Sequence, residues 1–185
     1  MLGVVAATLL AVGGGGSLLR GPQCEDVLAG LPPGTCLTEP SARGLAPRDE
    51  VGLLGGGETS LAAYVGRVVV VNFWAAWCGP CRREQPILNA AHDLLDGDEV
   101  AFLGVAIQDS EVNQLAHVTE FAVAYPSVFD PANAFAALFG GIGPRSIPTT
   151  VVLDRQGRVA LRLFGEVRDP AVIGSVVGRL LGEPA

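Results

Sequence analysis

The chain has 185 residues, 49% of them hydrophobic, which suits one packed domain with a leader and leaves no room for several domains. Twelve basic against nineteen acidic residues give a net charge of −7, with no basic cluster anywhere. That balance argues against a nucleic-acid partner.

Residues 1–19 carry no charge, and the apolar run 2–12 is interrupted by four glycines at 13–16. Residues 1–20 therefore read as a signal peptide or N-terminal membrane anchor. The basic residues that usually open such a segment are missing, so a buried N-terminal helix is the competing reading. Residues 21–46 form a Pro/Gly-rich segment holding Cys24 and Cys36, and residues 47–185 form the domain proper. Four cysteines permit three pairings, and a bond between Cys78 and Cys81 leaves Cys24 to pair with Cys36. Closing that loop stabilises by roughly 3 kcal/mol in an oxidising compartment. The alternative is two free thiols in a linker.

Inside the domain, residues 49–54 read as a short strand, Gly55, Gly56 and Gly57 as a turn, and residues 59–64 as a helical turn stopped by Gly66. Residues 67–74 are apolar and rich in valine, the mark of a strand covered on both faces. A helix is expected over 78–95, with Ile87, Leu88, Ala91, Leu94 and Leu95 inward and a kink at Pro86. A strand over 100–107 follows, then a helix over 111–124 capped by Ser110, a strand over 126–129, and a helix over 131–139 capped by Asp130. Residues 149–153 and 158–164 form a hairpin pattern, and Asp169 and Pro170 open a last helix to Leu181. The order describes an α/β domain with a central mixed sheet flanked by helices.

The chemistry concentrates in Trp77-Cys78-Gly79-Pro80-Cys81, at the end of a buried strand and the start of a helix. Unpaired N–H groups and the positive end of the helix dipole favour a thiolate at Cys78, making it the attacking sulfur. Cys81, one turn further in, is the resolving sulfur. Pro80 loses no helical hydrogen bond in the first turn, and Gly79 lets a second backbone approach. Zinc would need a second ligand pair, which the remaining cysteines, His92 and His117 do not offer at matching spacing; both histidines read as exposed. A purely structural pair is the other competing reading. Pro148, in Ser146-Ile147-Pro148-Thr149-Thr150, begins a strand; for Ile147–Pro148, sequence alone favours trans.

The two stretches V-V-V-V-N-F-W-A-A-W-C-G-P-C-R-R-E-Q-P and S-I-P-T-T-V-V-L-D-R-Q-G-R-V resemble the thioredoxin superfamily, and within it the extracytoplasmic TlpA/ResA-like branch, over about residues 45–182. The resemblance implies a thioredoxin fold with a strand and helix inserted between its halves, within residues 100–139. It also implies that Pro148 is in cis, with Trp77, Gly79, Pro80, Ile147 and Pro148 meeting a substrate polypeptide. Glu84 matches a carboxylate that this branch places beside its dithiol, whereas Asn72 stands where cytoplasmic thioredoxins carry a buried Asp. The implied activity is thiol–disulfide exchange on protein substrates, as a reductant fed by a membrane thiol donor, with cytochrome c maturation as one such job. No cofactor or metal, an extracytoplasmic location and a monomer are the accompanying expectations. A redox-inert binding module and a thiol peroxidase are the rival functions.

Overall fold

The computed structural model describes residues 37–184 except 96, 141, 142 and 144, together with the two-residue strand Cys24–Glu25. Residues 1–23, Cys36 and the side chain of Cys24 are outside the described residues, and with them the leader and the Cys24–Cys36 pairing. Among the described residues no helix is long and apolar enough to cross a membrane.

Two short hairpins come first. β1 (Cys24–Glu25) pairs antiparallel with β2 (Leu37–Thr38), and β3 (Val51–Gly52) with β4 (Glu58–Thr59). Gly55, Gly56 and Gly57 turn the second hairpin at φ values of 83°, 110° and 84°, a region closed to most L-residues. The main sheet is built from β5 (Val68–Trp74), β6 (Val100–Ile107), β7 (Ser127–Asp130), β8 (Thr149–Leu153) and β9 (Val159–Phe164) in the order β7-β6-β5-β8-β9. β5, β6 and β7 run parallel, while β8 and β9 run antiparallel to their neighbours. Every residue of β5 and β6 is buried, as their unbroken apolar runs require.

Among the described residues four α-helices complete the layers: α1 (Gly79–Leu95), α2 (Glu111–Glu120), the single turn α3 (Ala134–Ala137) and α4 (Pro170–Leu181). α1 continues through Pro86 and buries Cys81, Glu84, Gln85, Leu88 and Ala91. Leu94, expected inward, is 74% exposed. It sits six residues after Leu88, about 240° around the helix from the buried stripe. α2 has its expected cap, since the Ser110 hydroxyl accepts from the Asn113 N–H. It ends at Glu120 rather than 124, because Ala122 turns left-handed at φ 50°. α3 is shorter than expected because Asn133 is left-handed (φ 58°), and the Asp130 carboxylate accepts from the N–H groups of Ala134 and Ala136 instead.

Residues 37–46 lie on the sheet edge beside β9. Leu37 is buried, the Ala46 N–H donates to Gly157 O and the Val159 N–H to Gly44 O. Arg43, with a fully buried side chain, donates to both oxygens of Glu183 beyond α4 and to Asp154 after β8.

Candidate active site

β5 ends at Trp74, and the chain turns so that the Cys78 N–H donates to Ala75 O at 3.0 Å before α1 begins at Gly79. The Cys78 and Cys81 sulfurs are joined, with S–S 1.99 Å and Cα–Cα 5.2 Å. The Cys81 N–H points at Cys78 Sγ at 3.2 Å, one of the free donors of the first helical turn. Both cysteines are buried, while Gly79, Pro80 and Trp77 face solvent. The Trp77 indole is anchored from one end by donating to Gln108 O at 3.1 Å. Across the sheet, the Ile147–Pro148 bond is cis, Pro148 is buried, and its carbonyl accepts from the Gly165 N–H at 2.9 Å. Ile147 packs on the same core cluster as the two sulfurs.

Glu84, three residues after Cys81 on α1, is completely buried. Its carboxylate accepts from the Val167 N–H at 2.9 Å and from the Asn72 amide at 3.4 Å, and that amide also donates to Thr150 Oγ1 at 3.2 Å. Burial pushes the carboxyl up from 4.5 to about 7 against the pull of those two donors, and the nearby charge of Glu166 adds to the rise. Glu84 is thus a buried carboxyl displaced towards neutral pH, one helical turn after Cys81 in the sequence of α1.

The Redoxin family profile matches residues 42–171, most of the chain. The chain belongs to the redoxin family. Within it, this redoxin is a TlpA/ResA-like member of the thioredoxin superfamily. It is 32% identical to the thiol-disulfide oxidoreductase ResA of Geobacillus thermodenitrificans over 112 residues, 60% of this chain and 63% of that protein. It is 30% identical to the thiol:disulfide interchange protein HelX of Rhodobacter capsulatus over 118 residues, 63% of each. The chain therefore spans less than two thirds of the length of these curated relatives. Among solved structures, a secreted thiol-disulfide isomerase from Corynebacterium glutamicum superposes with a TM-score of 0.73 at 31% identity, covering 80% of this chain and 92% of that one.

The redoxin fold brings Cys78, Cys81, Glu84, Trp77, Gly79, Pro80, Ile147 and Pro148 to one end of the sheet, at the C-terminal edge of β5. His117 departs from its expected exposure. It is buried, with its ring stacked on the Trp74 indole at 4.4 Å and backed by Phe121 at 4.6 Å. Burial, helped by the charge of Arg82, lowers it to about 4, so it stays neutral. His92 is half-buried against Phe102 and Tyr125. Arg82 and Arg83 are at the surface, paired with Glu120 and Glu166. Thr150 and the Val167 N–H escaped the sequence reading. Thr150 sits opposite Asn72 in the antiparallel register, which only the paired strands reveal. Among the described residues no group of three His, Cys, Asp or Glu side chains is placed to hold a metal ion.

Proposed function

We propose that this redoxin is a protein thiol–disulfide oxidoreductase working as a reductant outside the cytoplasm. The observation that carries this reading is a joined Cys78–Cys81 pair at a helix start with the buried Glu84, near 7, one turn beyond. In the reduced state the Cys78 thiolate, favoured by the Cys81 N–H and the helix dipole, attacks a substrate disulfide and expels one substrate thiolate. Cys81 then loses its proton to the Glu84 carboxylate and attacks Cys78 Sγ. The second substrate thiolate leaves, and two electrons have passed from the dithiol to the substrate. Trp77, Gly79, Pro80 and the Ile147–Pro148 backbone form the surface against which the substrate lies.

The names of the relatives support the chemistry, and the secreted isomerase supports the location. A thiol donor at the membrane would return the pair to the dithiol state, and apocytochrome cysteines are one substrate class consistent with a reductive role. Residues 1–20 serve as leader or anchor, 21–46 as a segment stapled by Cys24–Cys36, and 47–185 as a monomeric catalytic domain.

Insulin reduction driven by dithiothreitol tests the reading. Turnover is expected for the wild type and its loss for Cys78→Ser, while Cys81→Ser should accumulate mixed disulfides. Turnover that survives Cys78→Ser would overturn it. Mass spectrometry of the non-reduced protein is expected to find Cys24 linked to Cys36.

A further inference from the structure

Residues 165–167, in the loop between β9 and α4, reach three different parts of the site. The Gly165 N–H donates to Pro148 O at 2.9 Å, Glu166 pairs with Arg83, and the Val167 N–H donates to the Glu84 carboxylate at 2.9 Å. Gly165 makes the bend at φ 92°, in the left-handed region that glycine enters freely.

Arg83 and Glu84 are neighbours on α1, as Glu166 and Val167 are in the loop, so two adjacent rungs join helix and loop. The outer rung is two-pronged: Arg83 Nε donates to Glu166 Oε1 at 3.3 Å and Nη2 to Oε2 at 2.9 Å. A Cβ on Gly79 would lie 3.8 Å from Arg83 Nη1, which puts the guanidinium beside the residue that follows Cys78. The Arg83 side chain is 62% exposed and that of Glu166 15%. An ion pair this open to water adds little to stability. Its place matters more, since the inner rung carries the carboxyl that burial and the Glu166 charge displace upward.

We propose that Arg83 and Glu166 are positioning residues for the exchange reaction: the pair holds residues 165–167 against α1 and sets the field in which Glu84 gains and loses its proton. This inference rests on the oxidoreductase reading and adds the groups that tune its proton acceptor. Glu166 opposes a negative charge on Glu84, and Arg83 offsets part of that opposition. Among the other described residues around Glu84, Arg168 reaches Glu166 at 4.0 Å, and Tyr125 is held neutral by its burial. Asn72 and Thr150 carry no charge.

Two substitutions that break the same ion pair separate tuning from mere attachment. Glu166→Gln removes the like charge, so the Glu84 titration midpoint is expected to fall by roughly one pH unit; Arg83→Gln leaves that charge unopposed, so the midpoint is expected to rise by about as much. Loss of a structural tie alone would loosen the Val167 N–H from Glu84 and raise the midpoint in both variants. The readout is the carboxyl titration of Glu84 by isotope-edited NMR of the oxidised full-length protein, assigned with Glu84→Gln. The acid limb of hydroxyethyl disulfide reduction by the reduced protein is expected to move the same way, down in Glu166→Gln and up in Arg83→Gln, with Glu166→Asp restoring the wild-type limb. Movement in one direction in both variants, or none, would overturn the proposal. So would opposite carboxyl movements with an unmoved rate profile. A wild type inert toward the disulfide would instead remove the oxidoreductase reading, and the pair's part in exchange with it.

Discussion

Two buried side chains, Glu84 on α1 and His117 stacked on Trp74, have opposite proton preferences. Glu84 ionises near 4.5 in an unfolded chain and near 7 in the fold, so between those values the folded state holds the extra proton and stability falls as pH rises. His117 moves from 6.5 down to about 4, so between those values the unfolded state holds the extra proton and stability rises with pH. Over about pH 4.5 to 6.5 the two contributions oppose each other. Glu84→Gln is therefore expected to leave the His117 contribution alone, giving urea-unfolding stability that climbs from pH 4 to 6.5. His117→Phe should show the reverse, a decline between pH 4.5 and 7. Parallel curves for the wild type and both variants would refute the assignment. Catalysis separates the two residues: Glu84→Gln should also remove an acid limb near pH 7 from the exchange rate, whereas His117→Phe should keep it. The enclosure of Glu84 was legible only through resemblance, because a glutamate at the start of a helix normally faces water. His117 was not legible, since nothing local marks a histidine whose partner is an indole on another strand.

At the scale of elements, the long apolar runs announced β5 and β6 almost to the residue, because strands covered on both faces need no alternation. The hairpin β8–β9 and the Asp169 cap of α4 were equally plain, the cap accepting from the Ala171 N–H. Ends set by left-handed residues other than glycine were invisible: Ala122 stops α2 and Asn133 delays α3 without a sequence signal. The packing of β6 against its neighbours was also hidden. A Cβ on Gly104 would lie 2.2 Å from Ser127 Oγ and 2.8 Å from Trp74 Nε1, so this glycine admits β7 and the indole together. Gly104→Ala is expected to cost at least 1–3 kcal/mol of unfolding free energy and to disturb Trp74 fluorescence. Adding Ser127→Ala should recover part of the loss, while a neutral Gly104→Ala would show that the contact relaxes freely.

For the whole molecule, the notable connection is the one between the N-terminal segment and the last helix. Arg43 holds Glu183 and Asp154 with its side chain fully enclosed, and Arg158 completes the group by donating to Asp154 at 2.8 Å. Removing one member of a buried charged set strands the others, so Arg43→Ala is expected to destabilise by roughly 3–5 kcal/mol. Hydrogen exchange should then quicken at the amides of Ala46 and Val159, which bond across this junction. Unaltered protection there would mean that residues 37–46 hold on without the guanidinium. The junction's position has a geometric consequence. Asp154 follows β8, whose Leu153 pairs with Val69 near the beginning of β5, whereas Cys78 lies just past its far end. The seven residues of β5 put roughly 20 Å between those two poles. The described segment from Leu37 to Ala46 thus joins the domain at the pole remote from its sulfurs.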